Sequence, residues 1–79
     1  MTYIATFFTH FAAVSFARLL KGTDMKPQFM PVPRKLSSSC GTCVRYQAEA
    51  PLLNLMDTDV EAVYEVIGRE EYTCLMENK

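Results

Sequence analysis

Net charge is almost absent from this sequence: eight Lys and Arg side chains stand against nine carboxylates in 79 residues. A dedicated nucleic-acid binder needs a surplus of positive charge to neutralise phosphates, which argues against that class. No hydrophobic run is long enough to cross a bilayer. The most apolar stretch, Tyr3 to Phe16, is interrupted by His10 and followed by Arg18, whereas a spanning helix needs about 20 apolar residues. No basic segment precedes that stretch, so a secretory signal is not expected and a cytoplasmic setting is. Repeats, low-complexity tracts and linker-like compositions are also missing, which leaves a single domain over residues 1–79. Histidine occurs once and cysteine three times. An odd cysteine count in a reducing compartment points to free, reactive or metal-bound thiols rather than a disulfide framework.

What is present is a chain with the apolar fraction of a globular protein, 49%, at a length where a single core is barely sufficient. Dimerisation would bury more surface. The charges are unevenly placed. Residues 1–45 carry Arg18, Lys21, Lys26, Arg34, Lys35 and Arg45 against Asp24 alone, while residues 46–79 carry Arg69 and Lys79 against eight carboxylates. Positive potential therefore gathers in the half that holds two of the cysteines.

Tyr3-Ile4-Ala5-Thr6-Phe7-Phe8 is aromatic and β-branched and predicts a first strand. Thr9 can cap a helix through Lys21, with Ala13, Phe16, Ala17 and Leu20 on its apolar stripe, Val14 widening it, and Gly22 as the stop. Pro27 to Pro33 predicts a second, irregular or edge strand, and Thr42 to Tyr46 a third. Thr58-Asp59-Val60-Glu61 matches the S/T-x-x-E capping box. It predicts a second helix through Ile67, with Val60, Val63, Tyr64 and Ile67 inward and Gly68 at its end. Tyr72 to Met76 supplies a fourth strand. This order, βαββαβ, is that of an α+β ferredoxin-like fold: a four-stranded antiparallel sheet with both helices on one face. Gln47 to Asp57 fits no element cleanly. Its Leu52, Leu53, Leu55 and Met56 are apolar enough to mark a self-association surface.

The stretch Ser37-Ser38-Ser39-Cys40-Gly41-Thr42-Cys43 carries the chemistry. A lone C-x-x-C offers two metal ligands where a closed zinc site takes four, so no resident metal or cofactor is expected. A thioredoxin-type dithiol places its first cysteine at a helix start, but the residues after Cys43 are strand-like. The remaining reading makes Cys40 a nucleophilic thiol on a loop between the second and third strands. Gly41 frees the backbone for a tight turn whose N–H groups can form an anion-binding nest. Arg34 and Lys35 add positive charge, and Ser37, Ser38 and Ser39 can donate hydrogen bonds. All favour an anionic sulfur. A serine-rich turn with incidental cysteines accounts for the same composition.

The run PVPRKLSSSCG, Pro31 to Gly41, resembles the signature of a family of small bacterial selenium/sulfur carrier-like proteins. The opening YIATFFTHFAA and the aromatic at Tyr46 are similar to that family too. The resemblance implies that Cys40 is the carrier residue, holding a persulfide or selenosulfide. It implies a carrier rather than a turnover enzyme, with a protein sulfur or selenium donor, such as a cysteine desulfurase, and an acceptor enzyme as partners. Cys43 departs from the family pattern and leaves a resolving-thiol or dithiol redox role open. A dimeric, non-catalytic interaction module is the competing class.

Cys74, between Thr73 and Leu75, reads as a small buried hydrophobe. His10 reads as a solvated polar residue at the helix start. Met25, Met30, Met56 and Met76 are scattered and read as gap-fillers. Tyr3, Phe7, Tyr46 and Tyr72 are placed on the sheet, on the face the helices leave open. Asp59, Glu61, Glu65, Glu70 and Glu71 read as the solvated side of the second helix.

Overall fold

The computed structural model describes residues 1–36, 41–52 and 59–78. Six elements follow one another: β1 (Thr2–Phe7), α1 (His10–Leu20), β2 (Gln28–Pro31), β3 (Thr42–Gln47), β4 (Val60–Gly68) and β5 (Glu71–Glu77). The five strands form one antiparallel sheet in the order β2-β3-β1-β4-β5. The fold is not ferredoxin-like. Among the described residues there is one helix and there are five strands, where four strands and two helices were expected.

The error lies in β4. Thr58 falls outside the described residues, but the segment it was to cap is a strand that pairs with β1 and β5. Its composition explains why. Val60, Val63, Val66 and Ile67 are β-branched and Tyr64 is aromatic, types that pack well on a pleated surface and lose rotamer freedom in a helix. Being flanked by β1 and β5, β4 also gains ladder hydrogen bonds on both sides. These outweigh a cap worth about 1 kcal/mol.

The helix follows its sequence signals closely. Thr9 is the N-cap, and its Oγ1 accepts from the Ala12 N–H at 3.1 Å. Ala12, Ala13, Phe16, Ala17 and Leu20 are buried. Past the end, Gly22 takes φ +82°, a left-handed conformation that glycine adopts without penalty. Thr23 closes the turn by donating from its N–H to the Leu20 carbonyl at 3.1 Å.

α1 lies over β1 and β3. The core between helix and sheet holds Tyr3, Ala5 and Phe7 from β1, Val44 and Tyr46 from β3, and Val60 and Val63 from β4. Three aromatic contacts tie it together. Phe16 packs on Phe7 with centroids 5.6 Å apart and meets Tyr46 edge-on at 5.2 Å, while Tyr3 lies 5.6 Å from Tyr46. Tyr3, Phe7 and Tyr46 are therefore on the covered face, not on the open one. Strand alternation sends Ile4, Thr6 and Cys43 to the opposite face. There Thr6 stands across from Cys43 on one side and Ala62 on the other. All four of these residues are buried.

Of the segment between β3 and β4, Leu52 packs against the core at φ 62°. Leu53, Leu55 and Met56, expected at a self-association surface, lie outside the described residues. Glu61, Glu65, Glu70 and Glu71 belong to β4, β5 and the turn between them, and Asp59 immediately precedes β4, so none lies on a helix face. The α1 helix is neither long nor apolar enough to cross a membrane.

Candidate functional site

The sequence-selected loop connects β2 to β3 in an antiparallel hairpin. Pro31 pairs with Thr42 and Met30 with Cys43. Beyond these pairs the Val32 N–H donates to the Gly41 carbonyl at 3.2 Å, which pinches the loop at its base. A further turn forms inside it, where the Leu36 N–H donates to the Pro33 carbonyl at 2.9 Å. Arg34 and Lys35 occupy the middle of that turn and are exposed. Proline fixes φ where such a turn begins, so Pro33 at its first residue helps to stiffen the entry.

Gly41 has φ +73°. Among the described residues a Cβ there would meet nothing within 4 Å, and the positive φ makes a conformational demand for glycine. Its carbonyl closes the pinch, and its N–H belongs to the peptide bond that joins it to Cys40. Cys40, Ser37, Ser38 and Ser39 lie outside the described residues. The described residues that border them in the chain are Leu36 and Gly41.

Cys43 is the second residue of β3, directly after Thr42. It is fully buried on the face away from α1, between Met30 and Thr6 on the neighbouring strands. Its Sγ lies 3.8 Å from the Pro31 carbonyl. The two cysteines of the C-x-x-C therefore face different demands: Cys43 packs into β3, and Cys40 precedes the glycine of the loop. Cys74 reverses its expectation. It is exposed on β5, because β5 is an outermost strand and α1 lies over β1 and β3 instead.

The end of the sheet that holds the β2–β3 loop also holds the start of α1. Thr6 pairs with Cys43, Phe7 pairs with Val60, and the Phe8 N–H donates to the Asp59 carbonyl at 2.8 Å. His10, exposed as expected, stacks on Phe29 of β2 with centroids 6.2 Å apart. No local sequence pattern announces that His10 reaches the strand leading into the loop. Its neighbourhood follows from β1 running between β3 and β4, with α1 folding back over β3.

Tyr46 has a structural part in this arrangement. Its hydroxyl donates to the Pro51 carbonyl, and burial, with a smaller contribution from Tyr3, pushes its phenol well above the usual tyrosine range. It stays neutral and pins the chain that leaves β3. Among the described residues no group of three His, Cys, Asp or Glu side chains could hold a metal ion.

A family model described as "Putative Se/S carrier protein-like" matches residues 2–72. The matched span includes the whole β2–β3 hairpin. No curated protein and no solved structure matches the chain.

Proposed function

The chain belongs to the Se/S carrier protein-like family, and from that membership we propose that it carries sulfur or selenium on Cys40, as a persulfide or selenosulfide. The observation that supports this most is the hairpin itself. A pinched loop inside the matched span bears two exposed cations, Arg34 and Lys35, and enters β3 through a left-handed Gly41. Positive charge and backbone N–H groups stabilise a thiolate or persulfide anion. Ser37, Ser38 and Ser39 supply further donors in this reading.

The transfer is an exchange that balances without an oxidant or reductant. The Cys40 thiolate attacks the outer sulfur of a donor protein's persulfide. A new S–S bond forms on Cys40, the donor's S–S bond breaks, and the donor leaves as a thiolate. An acceptor nucleophile then attacks the outer sulfur, and the Cys40 thiolate is the leaving group. Selenium follows the same course. A carrier of this kind works between protein partners in a reducing, cytoplasmic compartment.

Burial of Cys43 weighs against the dithiol reading, since its sulfur has no solvent exposure from which to attack a neighbour. The non-catalytic module is separated from the carrier by one experiment. The protein is treated with a persulfide donor, and intact mass is measured with site mapping. One added sulfur on Cys40, retained in Cys43→Ala and Cys74→Ala and lost in Cys40→Ala, is the expected result. Replacing Arg34 and Lys35 together with glutamine should slow the loading without unfolding the chain. An unreactive Cys40 in folded protein would leave the module as the better reading.

A further inference from the structure

The two edges of the sheet are built differently. At one edge, β2 is four residues long, follows Pro27 and ends in Pro31. Proline cannot donate to a ladder, so this edge is blunted against strand addition. At the other, β5 runs for seven residues without proline or glycine. Among the described residues no strand pairs with its outer side. Glu71, Thr73, Cys74, Leu75 and Glu77 are exposed, while Tyr72 and Met76 are half-buried and give the strand an apolar footing.

The charge of this edge selects what can bind there. The β4–β5 hairpin carries Glu61, Glu65, Glu70, Glu71 and Glu77, with Arg69 as the one basic residue among residues 60–78. A second copy of the chain is a poor occupant. Pairing two β5 strands antiparallel over their full length centres the two-fold on Cys74 and sets Glu71 against Glu77 at both ends. Like charges directly opposite destabilise a strand pair. The other edge strand that a second copy could offer, Gln28-Phe29-Met30-Pro31, is short and uncharged.

We propose that the outer edge of β5 is a docking site for a basic, extended segment of another protein, which adds to the sheet as a sixth strand. Backbone hydrogen bonds along β5 supply affinity, and the flanking glutamates select lysine- or arginine-bearing strands over acidic ones. The site lies at the opposite edge of the sheet from the β2–β3 loop, and its occupancy does not depend on the chemistry at Cys40.

The probe is a blocked heptapeptide of alternating lysine and valine, with a glutamate–valine peptide as control. The lysine peptide should slow amide hydrogen exchange at Tyr72 to Met76, and its binding should weaken as salt rises. The control should do neither. Glu70→Lys with Glu71→Lys should weaken lysine-peptide binding about tenfold. Leu75→Lys, which adds a cation while keeping both glutamates, should weaken it less and serves if the double variant does not fold. Persulfide loading at Cys40 should be unchanged in each variant. Equal binding of both peptides, or protection away from β5, would overturn the proposal. So would concentration-dependent protection of β5 without peptide, which would assign the edge to a second copy.

Discussion

At the scale of single residues, burial separates the two thiols among the described residues. Cys43 has no exposed surface, and Cys74 stands on an outer strand. Limited alkylation of native protein near neutral pH should label Cys74 and spare Cys43. Peptide mapping that found Cys43 modified in folded protein would contradict its place in the sheet. A mid-strand cysteine reads from sequence as a small buried hydrophobe; exposure depends on where the strand lies in the sheet, which composition does not encode. Tyr46 makes a second residue-scale prediction. In the unfolded chain its phenol ionises near the ordinary value of 10.0, whereas in the folded chain burial holds the proton to higher pH. The unfolded state therefore releases a proton that the folded state retains. The associated stability is complete below pH 10 and is lost as pH climbs toward the folded value. Tyr64 shifts the same way, through burial first and then through Cys74, Glu77 and Glu61. Tyr46→Phe should flatten the alkaline loss of stability that urea titrations measure above pH 10. It should also cost about 1 kcal/mol at neutral pH, because the Pro51 carbonyl loses its donor. An unchanged alkaline slope would remove Tyr46 from that account.

At the scale of elements, the helix and four of the strands could be read from sequence because each has an unambiguous local signature. Thr9, the apolar stripe and Gly22 bound α1; aromatic and β-branched runs mark β1 and β3; prolines mark β2 as an edge. β4 could not be read in the same way. Val60, Val63, Tyr64 and Ile67 lie at helical spacing, while Val60, Ala62, Tyr64 and Val66 lie at strand spacing, so one stretch satisfies both periods. Register shifts between Val63 and Tyr64 and between Val66 and Gly68 break the alternation that would have favoured the strand. Pairing with β1, a non-local event, decides the matter. The turn at Gly41 was legible for a different reason: its chemistry is local. Gly41 tests that claim. Its φ of +73° meets open space among the described residues, so Gly41→Ala should cost about 1 kcal/mol from backbone strain. Gly41→Asn should cost less, because asparagine visits the left-handed region more readily. Denaturant titrations of the two variants check the order, and exchange at the Val32 amide reports whether the pinch opens. Equal costs would point to side-chain contacts instead.

At the scale of the whole molecule, the strand order turns an uneven sequence into a polar body. The basic residues Arg18, Lys21, Lys26, Arg34, Lys35 and Arg45 fall on α1, β3 and the connections around β2, while Glu61, Glu65, Glu70, Glu71 and Glu77 fall on β4, β5 and their turn at the opposite edge. A partner approaching the β2–β3 loop meets positive potential, and one approaching β5 meets negative. The same order leaves α1 to cover β1 and β3, so a small set of side chains must hold the two layers together. Phe16 is central among them, since its ring meets rings from both strands, Phe7 of β1 and Tyr46 of β3. Phe16→Ala should cost about 3–5 kcal/mol, the usual range for truncating a buried aromatic. A chain of this length has about 4–12 kcal/mol of stability in all, so that loss should leave a substantially unfolded population at physiological temperature. Phe16→Leu keeps most of the volume and should cost under about 2 kcal/mol. Far-ultraviolet circular dichroism of both variants across a urea series measures the difference. If Phe16→Ala lost no more than Phe16→Leu, the layers would have to be held by contacts other than this aromatic pin, and the sheet would be stable with little help from its helix.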